Sequence, residues 1–190
     1  MKNYFLLASL LLPACSWAQS AVETTWLSQG QVQVGVGIGV GAGIGGSVKG
    51  YLRGTTYAQY FLKDGWALRA EGRYNYNGPD GNQYAGAGLL TQYHFLRTNR
   101  FSAFAQLGYF YGKADYSLYR MVDETPTSGR LERYREQFNY GMLNLGLGAQ
   151  YQLGSRWSIN ALVEKNFGQK VGRFGADNYD ATLGVGFRIK

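Results

Sequence analysis

The chain has 190 residues, enough for one domain, and a formal net charge of +7. Glycine (28 residues) and tyrosine (16 residues) are abundant, and there is a single cysteine. After residue 20 the sequence contains no run of about 18 consecutive apolar residues, which excludes a transmembrane helix. The basic residues do not cluster, so we expect no nucleic-acid partner and instead attribute the charge to contact with anionic lipid headgroups.

Residues 1–18 have the features of a cleaved secretory signal peptide. Lys2 supplies the positive charge, an apolar run covers 4–12, and 16–18 (Ser-Trp-Ala) fits the small-x-small cleavage rule. The apolar run is too short to span a membrane as a helix. We therefore expect a mature domain of residues 19–190.

Cys15 leaves a second interpretation open. Residues 12–15 (Leu-Pro-Ala-Cys) resemble a lipoprotein cleavage box, which would place a lipid on Cys15, although proline is atypical there. Cleavage after Ala18 would instead leave a mature chain without cysteine, which excludes disulfides and thiolate metal sites. We expect neither a metal nor a cofactor.

The first predicted strand, 31–43, alternates valine or isoleucine with glycine or glutamine. Its glycines are not those of a nucleotide-binding loop, because no helical pattern and no Lys-Ser/Thr pair follow. Glycine on the inner face would make room for bulky residues of neighbouring strands. The second predicted strand, 51–62, has Thr56, Ala58, Tyr60 and Leu62 on its outer face.

The third predicted strand, 66–76 (WALRAEGRYNY), shows the pattern most clearly. Successive strand residues point to opposite sides, so it has one apolar face and one ionic face. Aromatic residues stand at both ends of the apolar face, as expected across a bilayer, and the length suits a membrane-spanning strand of about 9–11 residues.

The pattern repeats along the rest of the chain. Five further strands are predicted at 83–95, 101–112, 136–152, 157–167 and 178–190. Long connections (44–50, 77–82, 113–135 and 168–177) alternate with short ones (63–65, 96–100 and 153–156). Pro79 and Pro126 both fall in long connections, as expected because proline disrupts a strand ladder. The sequence predicts an all-β, eight-stranded antiparallel transmembrane β-barrel, an up-and-down meander with both termini on the short-turn, periplasmic side.

Two aromatic girdles follow from the same alternation. The girdle beside the short turns comprises Trp66, Tyr93, Phe95, Phe101, Tyr151, Trp157 and Phe187. The girdle beside the long connections comprises Tyr74, Tyr76, Tyr109, Tyr111, Phe167 and Tyr179. The alternative is a soluble barrel of lipocalin type, whose apolar face points inward. Girdles at both ends and charged residues in mid-strand favour the membrane barrel.

The pattern resembles the small OmpA/OmpX-type outer-membrane β-barrel family over about residues 25–190. The resemblance is found in the hairpins 51–76, 83–112 and 136–167 and in the closing strand NYDATLGVGFRIK. The resemblance implies an outer-membrane location, contact with outer-membrane lipids and lipopolysaccharide, and insertion by the barrel assembly machinery. The family's last strand usually ends in an aromatic residue, whereas Phe187 here is followed by Arg-Ile-Lys.

Charged residues are predicted to face the barrel interior: Arg69, Glu71, Arg73, Glu164, Asp180 and Arg188. One interpretation is an ionic network that plugs the lumen, because eight strands enclose only enough space for side chains. The other is a narrow, ion-permeable, porin-like channel. The pattern favours the plug.

Catalysis is disfavoured by the position of the single histidine. His94 lies beside a short turn, away from the outer rim where lipopolysaccharide-modifying barrels act, and no serine follows at the His-x-Ser spacing of the lipid A deacylases. We expect His94 to be an inward or interfacial polar residue, and the protein not to be an enzyme.

The segment 113–135 is predicted to be a long outer loop and a contact surface for an extracellular partner. Its candidate contact residues are Tyr116, Tyr119, Arg120, Arg130, Arg133 and Tyr134. A solvated loop without a partner explains the same composition. The predicted function is a structural or adhesive role in the envelope, with the ion channel and then a lipopolysaccharide-modifying enzyme as alternatives.

Overall fold

The computed structural model describes residues 25–43, 50–78, 81–121, 131–168 and 178–189. The predicted signal peptide, Cys15, Pro79, Pro126 and Arg130 lie outside these residues. Within the described ranges, no helix is long and apolar enough to cross a membrane.

Eight antiparallel strands form one closed barrel in which each strand pairs with the next and the last pairs with the first. The strands are β1 (Val32–Gly43), β2 (Tyr51–Lys63), β3 (Trp66–Asn77), β4 (Asn82–Arg97), β5 (Phe101–Met121), β6 (Leu131–Gln152), β7 (Trp157–Gly168) and β8 (Asn178–Arg188). The predicted eight-stranded meander is confirmed.

The prediction of a loop over 113–135 is wrong, because β5 and β6 continue through much of it. Strand pairing of β4 with β5 ends at Gln83 and Asp115, and pairing of β6 with β7 ends at Met142 and Gly168. Among the described residues, 116–121 therefore pair only with β6, and 131–141 pair only with β5. We call 116–121 and 131–141 the β5–β6 ribbon. The strands in the ribbon could not be predicted from an apolar alternation, because neither face of the ribbon has to be apolar.

The two faces of the barrel wall differ as the alternation predicts. Inward side chains are mostly polar and buried, whereas the large apolar side chains point outward and are exposed. This distribution excludes the lipocalin-type interpretation, in which the apolar face would be buried. Large exposed side chains of the outer wall include Val36, Ile38, Val40, Leu68, Leu89, Leu107, Leu145, Leu147, Val163 and Leu183.

Glycine on the inner face of β1 accommodates tyrosines of β2. A Cβ atom on Gly35 would lie 2.4 Å from the Tyr57 ring, and one on Gly41 would lie 2.3 Å from the Tyr51 ring. Any larger residue at either position would displace these rings, so the alternating glycines of β1 are needed for the interior to fill.

A segment that the sequence did not predict closes the short-turn end of the barrel. A single 3-10 turn, Thr25–Leu27, places Trp26 and Leu27 in a buried cluster with Phe61 and Ala67. The Trp26 Nε1 donates to the Thr98 carbonyl at 3.1 Å. We call Trp26 and Leu27 the N-terminal stopper, since they fill this mouth of the barrel.

Candidate functional site

The inward charges of β2, β3, β7 and β8 meet in one layer across the middle of the barrel. We call this group the ionic layer; it comprises Arg53, Arg69, Glu71, Arg73, Glu164 and Asp180. All six residues are buried, with Arg53 only 1% exposed and Glu164 only 2% exposed. The three cations and three carboxylates balance, as buried charges require.

Glu164 is the centre of the ionic layer because two arginines share its carboxylate. Arg73 binds it in a bidentate manner, with Nη1 2.7 Å from Oε1 and Nη2 2.9 Å from Oε2. Arg53, on β2, also donates to Oε1 of this carboxylate. The carboxylate on β7 thus joins β2 to β3, and planar guanidinium groups suit this shared geometry.

Asp180 on β8 anchors the other side of Arg53. The Arg53 Nη2 lies 2.5 Å from Asp180 Oδ2, and its Nε donates to Asn75 Oδ1 at 3.0 Å. The Tyr51 hydroxyl and the Asn166 side-chain amide also donate to the Asp180 carboxylate. Arg53 and Asp180 therefore link β2 to β8 across β1, whose inner face is glycine.

Glu71 completes the ionic layer by bridging two arginines of its own strand. Arg73 Nε donates to Glu71 Oε1 at 2.6 Å, and Arg69 Nε donates to Oε2 at 2.8 Å. The arginines also stack on rings, since the Arg69 Cζ lies 3.6 Å from the Tyr57 ring centre and the Arg73 Cζ 3.5 Å from that of Phe110. Such cation–π contacts strengthen when they are shielded from water.

Amide side chains extend the network across β4, β5 and β6. Gln106 Nε2 lies 2.7 Å from Asn144 Oδ1 and 3.2 Å from Glu164 Oε2. Gln92 donates to Gln106 at 2.8 Å, and Asn144 donates to Asn166 at 2.8 Å. The chain of polar contacts therefore crosses the lumen from one wall to the other.

The structure brings together five of the six residues that the sequence pattern assigned to the interior network. Arg188 is the exception: it is half-buried at the end of β8 and donates to the Ser155 carbonyl at a short turn. The prediction that Arg188 belongs to the interior network is wrong, because Arg188 is the last residue of β8. Arg53 was missed, although the alternation of Arg53, Thr55 and Tyr57 opposite the outer face of β2 carried the signal.

His94 is buried near the N-terminal stopper. Its Nδ1 lies 2.9 Å from Ser102 Oγ, and its ring packs 5.6 Å from Phe61 and 5.1 Å from Phe104, measured between ring centres. No carboxylate contacts the ring among the described residues. Among all the residues that the structure describes, no group of three or more histidine, cysteine, aspartate or glutamate side chains could hold a metal ion.

The predicted girdle residues lie on the outer wall. All but one are exposed: Trp66, Tyr74, Tyr76, Tyr93, Phe95, Phe101, Tyr109, Tyr111, Tyr151, Trp157, Phe167 and Tyr179. Phe187 is half-buried, because its ring packs against Trp157 at 4.9 Å between centres.

The β5–β6 ribbon carries most of the predicted contact residues, but they differ in exposure. Tyr134 is exposed, and the exposed Arg133 donates from Nη2 to Ser117 Oγ at 2.9 Å. Tyr116 instead stacks on Phe138, with ring centres 5.4 Å apart, and burial raises the pKa of its hydroxyl. The side chains of Tyr119 and Arg120 are not among those that the structure describes.

Comparisons with known proteins agree on the fold. No family model and no curated protein sequence matches the chain. Among solved structures, the N-terminal β-barrel domain of OprF from Pseudomonas aeruginosa is 20% identical, with 85% of this chain and 100% of that chain covered and a TM-score of 0.50. Neisserial surface protein A is 12% identical, with coverages of 83% and 95% and a TM-score of 0.62. Ail, the attachment invasion locus protein of Yersinia pestis, is 16% identical, with coverages of 85% and 99% and a TM-score of 0.57.

These observations define the class of the protein. An exposed apolar wall around a buried ionic interior is the arrangement of a barrel that spans a membrane, because lipid faces the outside and side chains fill the inside. The chain has the fold of the small eight-stranded outer-membrane β-barrels. Its apolar wall and this fold together locate it in a bacterial outer membrane.

Proposed function

We propose that the protein is a sealed outer-membrane scaffold that presents the β5–β6 ribbon as a contact surface outside the cell. The observation that carries the proposal is the contrast between a lumen closed by the ionic layer and a ribbon that extends beyond the barrel wall. The role is structural or adhesive, without catalysis or a cofactor.

The sealed lumen argues against the ion-permeable channel. A water-filled passage would leave the charges that line it accessible, whereas Arg53, Glu164 and Arg73 are at most 4% exposed. We expect no reproducible conductance in planar bilayers. A well-defined conductance that disappears in Glu71→Ala would instead favour the channel.

The ribbon supplies the features of a recognition surface. Residues 132–137 are exposed and include both charge signs together with Tyr134. Among the described residues, 131–141 have a strand partner only in β5. The partners proposed are a surface outside the cell, the lipids and lipopolysaccharide around the barrel, and the barrel assembly machinery during insertion.

The proposal requires the short turns and both termini to face the periplasm, and two cysteine variants test this orientation. Tyr134→Cys lies in the ribbon and Ser155→Cys in a short turn, and both positions are exposed. On intact cells, a membrane-impermeant maleimide should label the Tyr134→Cys variant but label Ser155→Cys only after permeabilisation. The reverse pattern would overturn the orientation.

Deletion of 116–132 tests the division of labour between barrel and ribbon. Asp115 pairs with Gln137, so the deletion would leave 133–136 as a four-residue turn that closes β5 onto β6. The barrel should still migrate differently in boiled and unboiled gel samples, while binding of the cells to surfaces should fall to the level of cells without the protein. A barrel that no longer folds, or binding that persists, would contradict the proposal.

A further inference from the structure

An apolar groove interrupts the outer wall of the barrel over β6, β7, β8, β1 and the start of β2. It has a volume of about 760 Å³, and the small side chains of Ala149, Ala161 and Ala181 leave room in it between larger apolar neighbours. The larger neighbours are Ile38, Val40, Leu52, Leu147, Val163 and Leu183. The groove lies in the membrane-facing wall, so its occupant must be apolar along its length.

A single lysine stands at one end of this groove. Lys165 follows the groove residue Val163 by two positions on the same face of β7, which is about 7 Å along the strand towards the long connections. It pairs with Tyr179, which precedes the groove residue Ala181 by two positions on β8. The lysine therefore sits directly above the groove in the barrel wall.

Aromatic rings hold the Lys165 ammonium at the level of a girdle. Its Nζ lies 4.5 Å from the ring centre of Phe167 and 5.5 Å from that of Tyr179. Aromatic girdles mark the depth of the lipid headgroups. A cation on the lipid-facing wall is unfavourable in the hydrocarbon but favourable at this depth, where it meets anionic headgroups.

We propose that the groove and Lys165 together form a binding site for a phosphorylated acyl lipid of the outer leaflet, namely the lipid A part of lipopolysaccharide. An acyl chain occupies the groove, and a phosphate contacts the lysine. The assignment to the outer leaflet rests on the orientation given under the proposed function, which places the long connections outside the cell.

Native mass spectrometry of the full-length protein in detergent, with added lipid A, tests the phosphate contact. Lys165→Gln should bind lipid A about fivefold more weakly, the effect of one cation at a membrane surface. Lys113→Gln is the matched control, since Lys113 is exposed on β5 and does not line the groove. Equal weakening in both variants would overturn the proposal.

A second pair of variants tests the groove. Ala181→Leu and Ala161→Leu each fill the groove and should reduce lipid A binding, whereas Ala70→Leu, on the outer face of β3, should leave it unchanged. Variants are compared only if boiled and unboiled samples still migrate differently. Unchanged binding in both groove variants would overturn the acyl-chain assignment.

Dephosphorylated lipid A and phosphatidylglycerol separate the headgroup contributions. Dephosphorylated lipid A should bind the wild type as weakly as lipid A binds Lys165→Gln, and phosphatidylglycerol should bind more weakly than lipid A. Preference for either probe over lipid A would overturn the proposal. Binding in detergent does not depend on orientation, so this experiment and the cysteine labelling can fail separately.

Discussion

The ionic layer and the β5–β6 ribbon are built from the same residue types but differ in their energetics. In the ionic layer, Arg53 lies 2.5 Å from Asp180, Arg73 lies 2.9 Å from Glu164, and all six side chains are buried. In the ribbon, the side chains of 132–137 are exposed, and Arg135 lies 3.8 Å from Asp115 with 61% of its side chain accessible.

The difference teaches that burial, and not residue type, decides what a charge does in this protein. An exposed ion pair contributes little, whereas a buried charge without a partner is strongly unfavourable. The ionic layer is therefore constrained to keep all its members, and the ribbon is free to form contacts with other molecules. Substitutions at Glu164 and Arg135 test this comparison of charges, and substitutions at Trp26 and Tyr84 extend it to buried side chains without charge.

The largest effect is expected for Glu164→Ala. The change would leave Arg53 and Arg73 buried side by side without the carboxylate they share, so the free energy of unfolding should fall by about 3–5 kcal/mol. Urea unfolding in detergent measures the loss. The matched control Glu136→Ala, exposed in the ribbon, should change stability by less than about 0.5 kcal/mol. Equal losses would abolish the contrast between the two regions.

Trp26→Ala should lower the free energy of unfolding by about 3 kcal/mol, because the substitution leaves a cavity in the buried cluster that Trp26 forms with Leu27, Phe61 and Ala67. Trp26→Phe keeps an apolar ring but loses the hydrogen bond to the Thr98 carbonyl, so it should lose only about 1 kcal/mol. Neither variant should conduct ions in planar bilayers, since the ionic layer still closes the lumen. Conductance in Trp26→Ala would show that the stopper is the seal.

Tyr84→Phe should raise the free energy of unfolding by about 1 kcal/mol. The Tyr84 hydroxyl is buried and has no hydrogen-bond partner among the described residues, and a buried unsatisfied group is unfavourable. Tyr111→Phe, on the exposed outer wall, is the control and should leave stability unchanged. A loss of stability in Tyr84→Phe would reveal a partner for the hydroxyl.

The smallest effect is expected for Arg135→Ala, whose exposed pair with Asp115 contributes at most about 0.5 kcal/mol. A double-mutant cycle with Asp115→Ala isolates the pairwise contribution. A coupling free energy above about 1 kcal/mol would mean that the ribbon also depends on its charges for stability.

Much of the fold could be predicted, because along each strand of a membrane barrel apolar residues that face lipid alternate with residues that face the interior. The strand 66–76 shows both faces, and the structure extends it by only one residue. Turn residues such as Gly65, with a φ of +73°, mark where the chain reverses. The same reasoning could not predict the ribbon, because β5 and β6 extend beyond the neighbouring strands there and the apolar alternation stops.

The candidate site could be predicted only in part. Alternation identified Glu164 and Asp180 as inward charges, but it could not show that Arg53 binds both of them. Arg53 is separated from Glu164 by 111 positions in the sequence and from Asp180 by 127. Contacts over such distances depend on the register of every strand between them.

By itself the sequence determined the number of strands, the face that meets lipid and the side of the barrel with short turns, because each is a property of neighbouring residues. Only the tertiary structure decided which charges pair, that Trp26 closes one mouth, and that the ribbon extends beyond the wall. The physical reason is closure: pairing β8 with β1 sets the register around the whole barrel, and the register sets which inward side chains meet.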